Sequence, residues 1–199
     1  GAPALGCAGG CGVALSALIT KADSLPEFLD QVGSDADLLR KTRPTAVNLF
    51  YGIDHVLTAI MSSQTIEEAK SRAVDAAEEV IDADRRTCHA IGKTGLEVIP
   101  DGARILTHCN AGALACAEWG TALGVIRSAH EAGKNISVYA CETRPLLQGA
   151  RLTTWELLRD GIDVTLIIDS MAAVLMRKGA IDVVIVGADR IVSDAVFNK

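Results

Sequence analysis

Aromatic residues are scarce in this chain: three Phe, two Tyr and two Trp among 199 residues. A nucleic-acid surface built on base stacking is poorly supplied by so few rings. Positive charge is also short. There are 19 Lys and Arg against 25 Asp and Glu, a formal net charge of −6, and no basic stripe. DNA, RNA and anionic membranes are therefore not expected as partners. A few placed arginines could still hold an anionic small substrate.

Several motifs are missing. No G-x-G-x-x-G follows the first apolar strand, which disfavours a dinucleotide site. No P-loop, serine-hydrolase elbow or His-rich metal motif occurs. The six cysteines include no C-x-x-C. Cys7 and Cys11, or Cys88 beside His89, could be imagined as zinc ligands, but structural zinc sites favour tighter paired spacings. No metal site is expected. The cysteines read as reduced, packed small hydrophobes of a cytoplasmic protein. The stretch Gly1 to Thr20 carries no charge. No basic segment precedes it, and its five glycines with Pro3 make it a poor membrane span, so it reads as a buried helix. Because the chain begins at Gly1 rather than Met, its start is expected to be processed or missing.

What is present is a chain of 49% hydrophobic and 22% charged residues, enough for a sizeable core. Residues 1–100 read as a mainly helical domain. Helices are expected over Ala4 to Ile19, in two pieces around Gly33 between Pro26 and Arg40, over Ala46 to Met61, and over Thr65 to Ala90. The cluster Gly92, Gly95, Pro100 and Gly102 marks a boundary. Residues 101–199 then change character. Four short apolar strands, Arg104–His108, Ser137–Cys141, Asp163–Ile168 and Asp182–Gly187, alternate with helical stretches Ala113–Ala132, Gly149–Arg159 and Met171–Lys178. This alternation predicts a Rossmann-like parallel sheet covered by helices, hence an α/β fold. Parallel strands place their C-termini on one edge, where open α/β sheets bind ligands.

Four polar groups leave that edge: Cys109, Glu142-Thr143-Arg144, Asp169 and Asp189. Cys109 would face the N-terminus of a helix beginning near Gly112, whose N–H groups could stabilise a thiolate or bound anion. From position alone, a buried, inert cysteine is the readier reading. Asp189 ends an apolar strand. Desolvation there would raise its pKa and suit it to acid–base work; pairing with Arg190 is the alternative. Arg144 and Gln148 offer donors for a phosphate, or serve only their loop. Arg43 precedes Pro44 at a helix start, where an anion or a surface ion pair would fit. Lys199 by itself reads as a solvated terminal residue.

Longer stretches carry a resemblance. They are Gly1-Ala2-Pro3-Ala4, Thr42 through Leu49, Leu106 through Leu114, Gly120 through Arg127, Glu142 through Leu152, Val186 through Ile191, and Asn198-Lys199. Together they resemble the methylthioribose-1-phosphate isomerases, in a superfamily shared with ribose-1,5-bisphosphate isomerases and regulatory subunits of a translation-initiation nucleotide exchange factor. The Asn-Ala-Gly-Ala-Leu run after Cys109 looks like the methylthioribose branch. The resemblance implies catalytic roles for Cys109, which assists the transition state, and Asp189, which donates a proton. It implies substrate binding by Gly1, Ala2, Arg43, Gln148, Asn198 and Lys199. It implies an aldose–ketose isomerisation of 5-methylthioribose 1-phosphate in methionine salvage, without cofactor, by a cytoplasmic homodimer. An isomerase for another 1-phosphorylated pentose, such as 5-deoxyribose 1-phosphate or ribose 1,5-bisphosphate, and a non-catalytic regulatory protein are the alternatives. Against the family pattern, an arginine before Gly1 and the strands beyond Lys199 are missing, so the chain is expected to be the middle of a longer protein. The segment Val192 to Phe197 is also about one residue short and lacks a glycine, which bears on the matches at Asn198 and Lys199.

Overall fold

The computed structural model of the chain describes residues 2–197. Two compact units are found, one through Asp84 and one from Arg85 onward. The architecture is α/β, with a mainly helical N-terminal part followed by a Rossmann-like parallel sheet and helices.

The first unit holds α1 (Ala2–Ile19), α2 (Leu25–Thr42), α3 (Val47–Met61) and the N-terminal part of α4 (Ile66–Leu96). Small residues let α1 approach α3 closely: a Cβ on Gly52 would come within 2.0 Å of the Gly6 carbonyl oxygen. Around that contact lie Val13, Ala17, Phe28, Val32, Ile53, Val56 and Ile60, each essentially inaccessible. By length and composition α1 could cross a membrane. Its buried Gly6, Gly9, Gly10, Val13, Ala14 and Ala17 nonetheless belong to this packed core. Ser24 caps α2 by accepting the Glu27 N–H, and Pro26 occupies its first turn. At the start of α4, Thr65 accepts the Glu68 N–H while the Glu68 carboxylate accepts the N–H of Gln64, a reciprocal cap.

Two helix expectations are corrected. Gly33 does not divide α2, which runs unbroken from Leu25 to Thr42. The surrounding apolar face, with Phe28, Val32 and Ala36 buried, outweighs one glycine's weak propensity. Likewise α4 continues through Gly92 and Gly95 to Leu96. Those glycines serve packing, since Cβ atoms there would meet Ser128 Oγ and Val125 Cγ2, each at 2.5 Å.

The second unit is built on four parallel strands, β1 (Arg104–Thr107), β2 (Ser137–Cys141), β3 (Asp163–Ile167) and β4 (Val183–Val184), in the order β3-β2-β1-β4. Ladder bonds extend β4 at both ends, from Asp182 N–H to Arg104 O and from Ile185 N–H to Leu106 O. One core cluster joins Ile105 and Val138 of the sheet to Leu123 and Ile126 of α5 (Ala122–Glu131) and Leu157 of α6 (Thr154–Arg159). Another joins Leu106, Cys141 and Ile167 to Ala172 and Leu175 of α7 (Met171–Arg177). A small antiparallel pair, β5 (Arg190–Ile191) and β6 (Val196–Phe197), follows β4.

The helix expected from Ala113 to Ala132 is also corrected. Only a 3-10 turn, Ala113–Ala115, follows Cys109, and α5 begins at Ala122. Cys109 therefore does not stand at the N-terminus of a regular α-helix.

Candidate active site at the C-terminal edge of the sheet

The exits of β1 and β2 are held by a chain of hydrogen bonds. Cys109 is half-buried and has φ +66°, in the left-handed region that non-glycine residues seldom occupy. Two threonines fix its backbone there. Its N–H donates to Thr143 Oγ1 at 2.8 Å, and its carbonyl accepts from Thr153 Oγ1 at 2.5 Å. Thr143 also has positive φ, +60°, and is itself anchored, with its hydroxyl directed to the Cys141 carbonyl at 3.2 Å. The N–H groups of Thr143 and Arg144 donate to the two carboxylate oxygens of Asp169, each at 2.8 Å. Three of the four polar exits expected from the sequence are thus joined through backbone and carboxylate. Burial pushes the Asp169 pKa up, but the N–H groups of Arg144 and Thr143 and the charges of His108 and Arg144 outweigh it and hold the carboxyl below its ordinary value.

The loop after Cys109 rests on Glu156, which is 2% exposed. Its Oε1 accepts from Asn110 Nδ2 at 2.9 Å, and its Oε2 accepts from the Ala113 N–H at 2.8 Å and Arg127 Nη2 at 2.8 Å. Arg127 also donates to Asp160 at 2.6 Å and to the Trp119 carbonyl at 2.6 Å. Gly112 is required by this contact, since a Cβ there would lie 2.4 Å from Glu156 Oε2. Gly149 is required similarly, because its Cβ would overlap the Cys141 carbonyl at 1.7 Å.

Gln148 leads into one π-helical turn, Gly149–Thr153, ahead of α6. Its Oε1 is buried without a hydrogen-bond partner. An acceptor in that state costs about 1–3 kcal/mol of desolvation, so it is a natural point of contact for a ligand donor.

Asp189 follows β4 and is exposed, with its N–H donating to the Phe197 carbonyl at 2.8 Å. Among the described residues β4 is paired on one side, with β1. The β4 exit nevertheless neighbours the Cys109 loop, as a Cβ on Gly187 would come within 3.1 Å of Ala111 Cβ. Ala2 opens α1 and Arg43 follows α2, both exposed and both in the first unit. Gly1, Asn198 and Lys199 lie outside the described residues.

Sequence reasoning placed Thr143 at the β2 exit but missed Thr153, Glu156 and Arg127 as supports of the site. A usable signal existed for two of them. Arg127 directly follows the Leu123-Gly124-Val125-Ile126 run, and Glu156 lies beside Leu157 and Leu158. Charges set into apolar helices tend to be paired.

Known proteins match the whole of this chain. It is 54% identical to methylthioribose-1-phosphate isomerase of Heliobacterium modesticaldum, covering 100% of this chain and 59% of that protein. A crystal structure of translation initiation factor eIF-2B, subunit delta, from Archaeoglobus fulgidus superposes with a TM-score of 0.91 at 54% identity, covering 100% of this chain and 58% of that one. The 5-methylthioribose 1-phosphate isomerase of Pyrococcus horikoshii OT3 does so with a TM-score of 0.91 at 44% identity, covering 98% of this chain and 55% of that one. The chain thus spans somewhat over half the length of these relatives. Residues 1–199 match the family described as the initiation factor 2 subunit family, and the chain belongs to that family.

Proposed function

We propose that this chain is part of an isomerase that converts 5-methylthioribose 1-phosphate to 5-methylthioribulose 1-phosphate. The observation that carries the reading is Cys109, a thiol whose backbone is clamped in a left-handed conformation by Thr143 and Thr153 at the ligand-binding edge of a parallel sheet. Backbone strain of this kind gathers at functional sites. The unpartnered Gln148 Oε1 on the neighbouring exit supports it. So do relatives at 52–54% identity that bear the isomerase name.

The reaction opens the sugar ring and moves one hydrogen from C2 to C1, so it is redox-neutral overall. Asp189 is assigned as the acid that protonates the ring oxygen, and Cys109 as the group that assists hydrogen transfer at carbon. Gln148 is assigned to a substrate hydroxyl. Gly1, Ala2, Arg43, Asn198 and Lys199 are proposed as further substrate contacts. A cytoplasmic homodimer in methionine salvage completes the proposal.

The test is turnover of the methylthio sugar by the purified protein, alongside ribose 1,5-bisphosphate and 5-deoxyribose 1-phosphate. Cys109→Ser and Asp189→Asn should each lower kcat by about 100-fold or more, the usual scale for acid–base groups. Unchanged turnover in both variants would overturn the assignment, and turnover of ribose 1,5-bisphosphate alone would move the substrate. A regulatory role is the second reading, favoured by the translation-factor name of the Archaeoglobus fulgidus structure. Failure to turn over all three sugars would select it.

A further inference from the structure

A second constellation lies at the same sheet edge. A ring nitrogen of His108, the sulfur of Cys141 and a carboxylate oxygen of Asp169 all lie within 4.8 Å of one another. His108 follows β1, Cys141 ends β2 and Asp169 follows β3. The parallel registers Thr107↔Ala140 and Cys141↔Ile167 bring them together. No sequence spacing announces the set.

The three groups are the right kind and are held in a useful way. His108 Nδ1 stands 3.9 Å from Asp169 Oδ1, too far for a direct hydrogen bond. Two ligands of a tetrahedral zinc ion, each about 2 Å from it, sit roughly 3.3–3.5 Å apart. The gap therefore closes by a small turn of the His108 side chain, which is 45% exposed and gives an ion its way in. Asp169 is already oriented by the N–H groups of Thr143 and Arg144. A carboxylate has about four acceptor positions, so each oxygen keeps one free. Hydrogen bonds of this kind to a ligating carboxylate are what tune and orient metal sites. Cys141 is 3% exposed, and its burial, with the Asp169 charge beside it, pushes its thiol pKa up. A bound dication would reverse that balance.

We propose that His108, Cys141 and Asp169 form a binding site for a four-coordinate divalent transition metal of the zinc class, with water at the fourth position. The mixed nitrogen, sulfur and oxygen donors favour such ions over magnesium or calcium. Binding replaces the Cys141 Sγ–H bond by a sulfur–metal bond and releases that proton to solvent, with no change of oxidation state. The site goes beyond the isomerase reading, and its test reads no turnover.

Protein stripped of metal under reducing conditions is titrated with Co²⁺ as the probe, followed by Zn²⁺. One equivalent should bind with a thiolate-to-cobalt charge-transfer absorption, which Zn²⁺ then removes. Cys141→Ser should abolish that absorption, and His108→Ala should weaken binding by about tenfold or more. Cys11→Ser, at an exposed thiol on α1, should leave both unchanged. Absence of a stoichiometric absorption in the parent would overturn the proposal, as would its persistence in Cys141→Ser. Should Cys141→Ser fail to fold by circular dichroism, the exposed His108→Ala variant decides alone: parent-like affinity there overturns the site.

Discussion

Arg127 and Glu156 form an ion pair at 2.8 Å whose side chains are only 9% and 2% exposed. The pair joins α5 to α6 and carries the loop that follows Cys109, because the same Glu156 carboxylate takes the N–H of Ala113 and the amide of Asn110. Glu156→Ala leaves a guanidinium buried with only part of its compensation, a change that typically costs about 3–5 kcal/mol. Arg127→Met leaves the complementary carboxylate and should cost a similar amount. Glu156→Gln keeps the shape and an acceptor and should cost less than either. Urea denaturation midpoints at constant slope check the order. An Ala variant within about 1 kcal/mol of the parent would show that the pair does not hold the loop.

The Thr143 and Thr153 clamps make a finer prediction. Valine matches threonine in shape but has no hydroxyl. Thr143→Val leaves the Cys109 N–H without its acceptor, and Thr153→Val leaves the Cys109 carbonyl without its donor. Each should cost about 1–3 kcal/mol in stability, the range for an orphaned buried group. If the clamp also sets the thiol for reaction, kcat should fall in both variants while KM moves little. A rise in KM at unchanged kcat would instead place the threonines in binding.

The strands and Cys109 were legible because local patterning decides them. Val183 to Ile185 is an apolar, β-branched run that pairs with β1, and an apolar run ending in Thr107-His108-Cys109 marks a sheet exit. The loop beyond was not legible. Asn110 to Cys116 is rich in small, helix-compatible residues, yet Glu156 takes the Ala113 N–H from far along the chain, and Gly120 needs φ +89°. Tertiary contact overrode propensity there. His108, Cys141 and Asp169 come together only after two parallel registers are fixed.

Glycine substitutions separate packing from propensity. Gly33 sits inside α2, and a Cβ there would meet nothing within 4 Å. Gly33→Ala should therefore stabilise the protein by roughly 0.5–1 kcal/mol through helix propensity and a less flexible unfolded chain. Gly112→Ala should do the reverse. Its methyl would press on all three carboxylate atoms of Glu156 at 2.4–2.6 Å, and the cost of such overpacking is typically about 1–3 kcal/mol. Thermal or urea unfolding of the two variants should move in opposite directions. A stabilising Gly112→Ala would mean that the Glu156 carboxylate is free to move away.

The pH dependence of stability follows from Asp182. Its carboxylate accepts the Arg104 N–H at 2.8 Å and the guanidinium through Nε at 2.9 Å and Nη2 at 2.7 Å. These donors hold the Asp182 pKa at about 2, against an ordinary 3.8. A depressed carboxyl pKa stabilises the fold above the unfolded value and loses that contribution as pH falls through the folded one. The contribution is thus complete above about pH 4 and fades towards about pH 2. Asp182→Asn removes the titrating group while keeping an acceptor. Denaturation series on both proteins from pH 5 downward should show the parent's advantage constant at first and then shrinking below about pH 4. An advantage that stays flat across the whole range would mean that the Arg104 contact does not act on the charged form of Asp182.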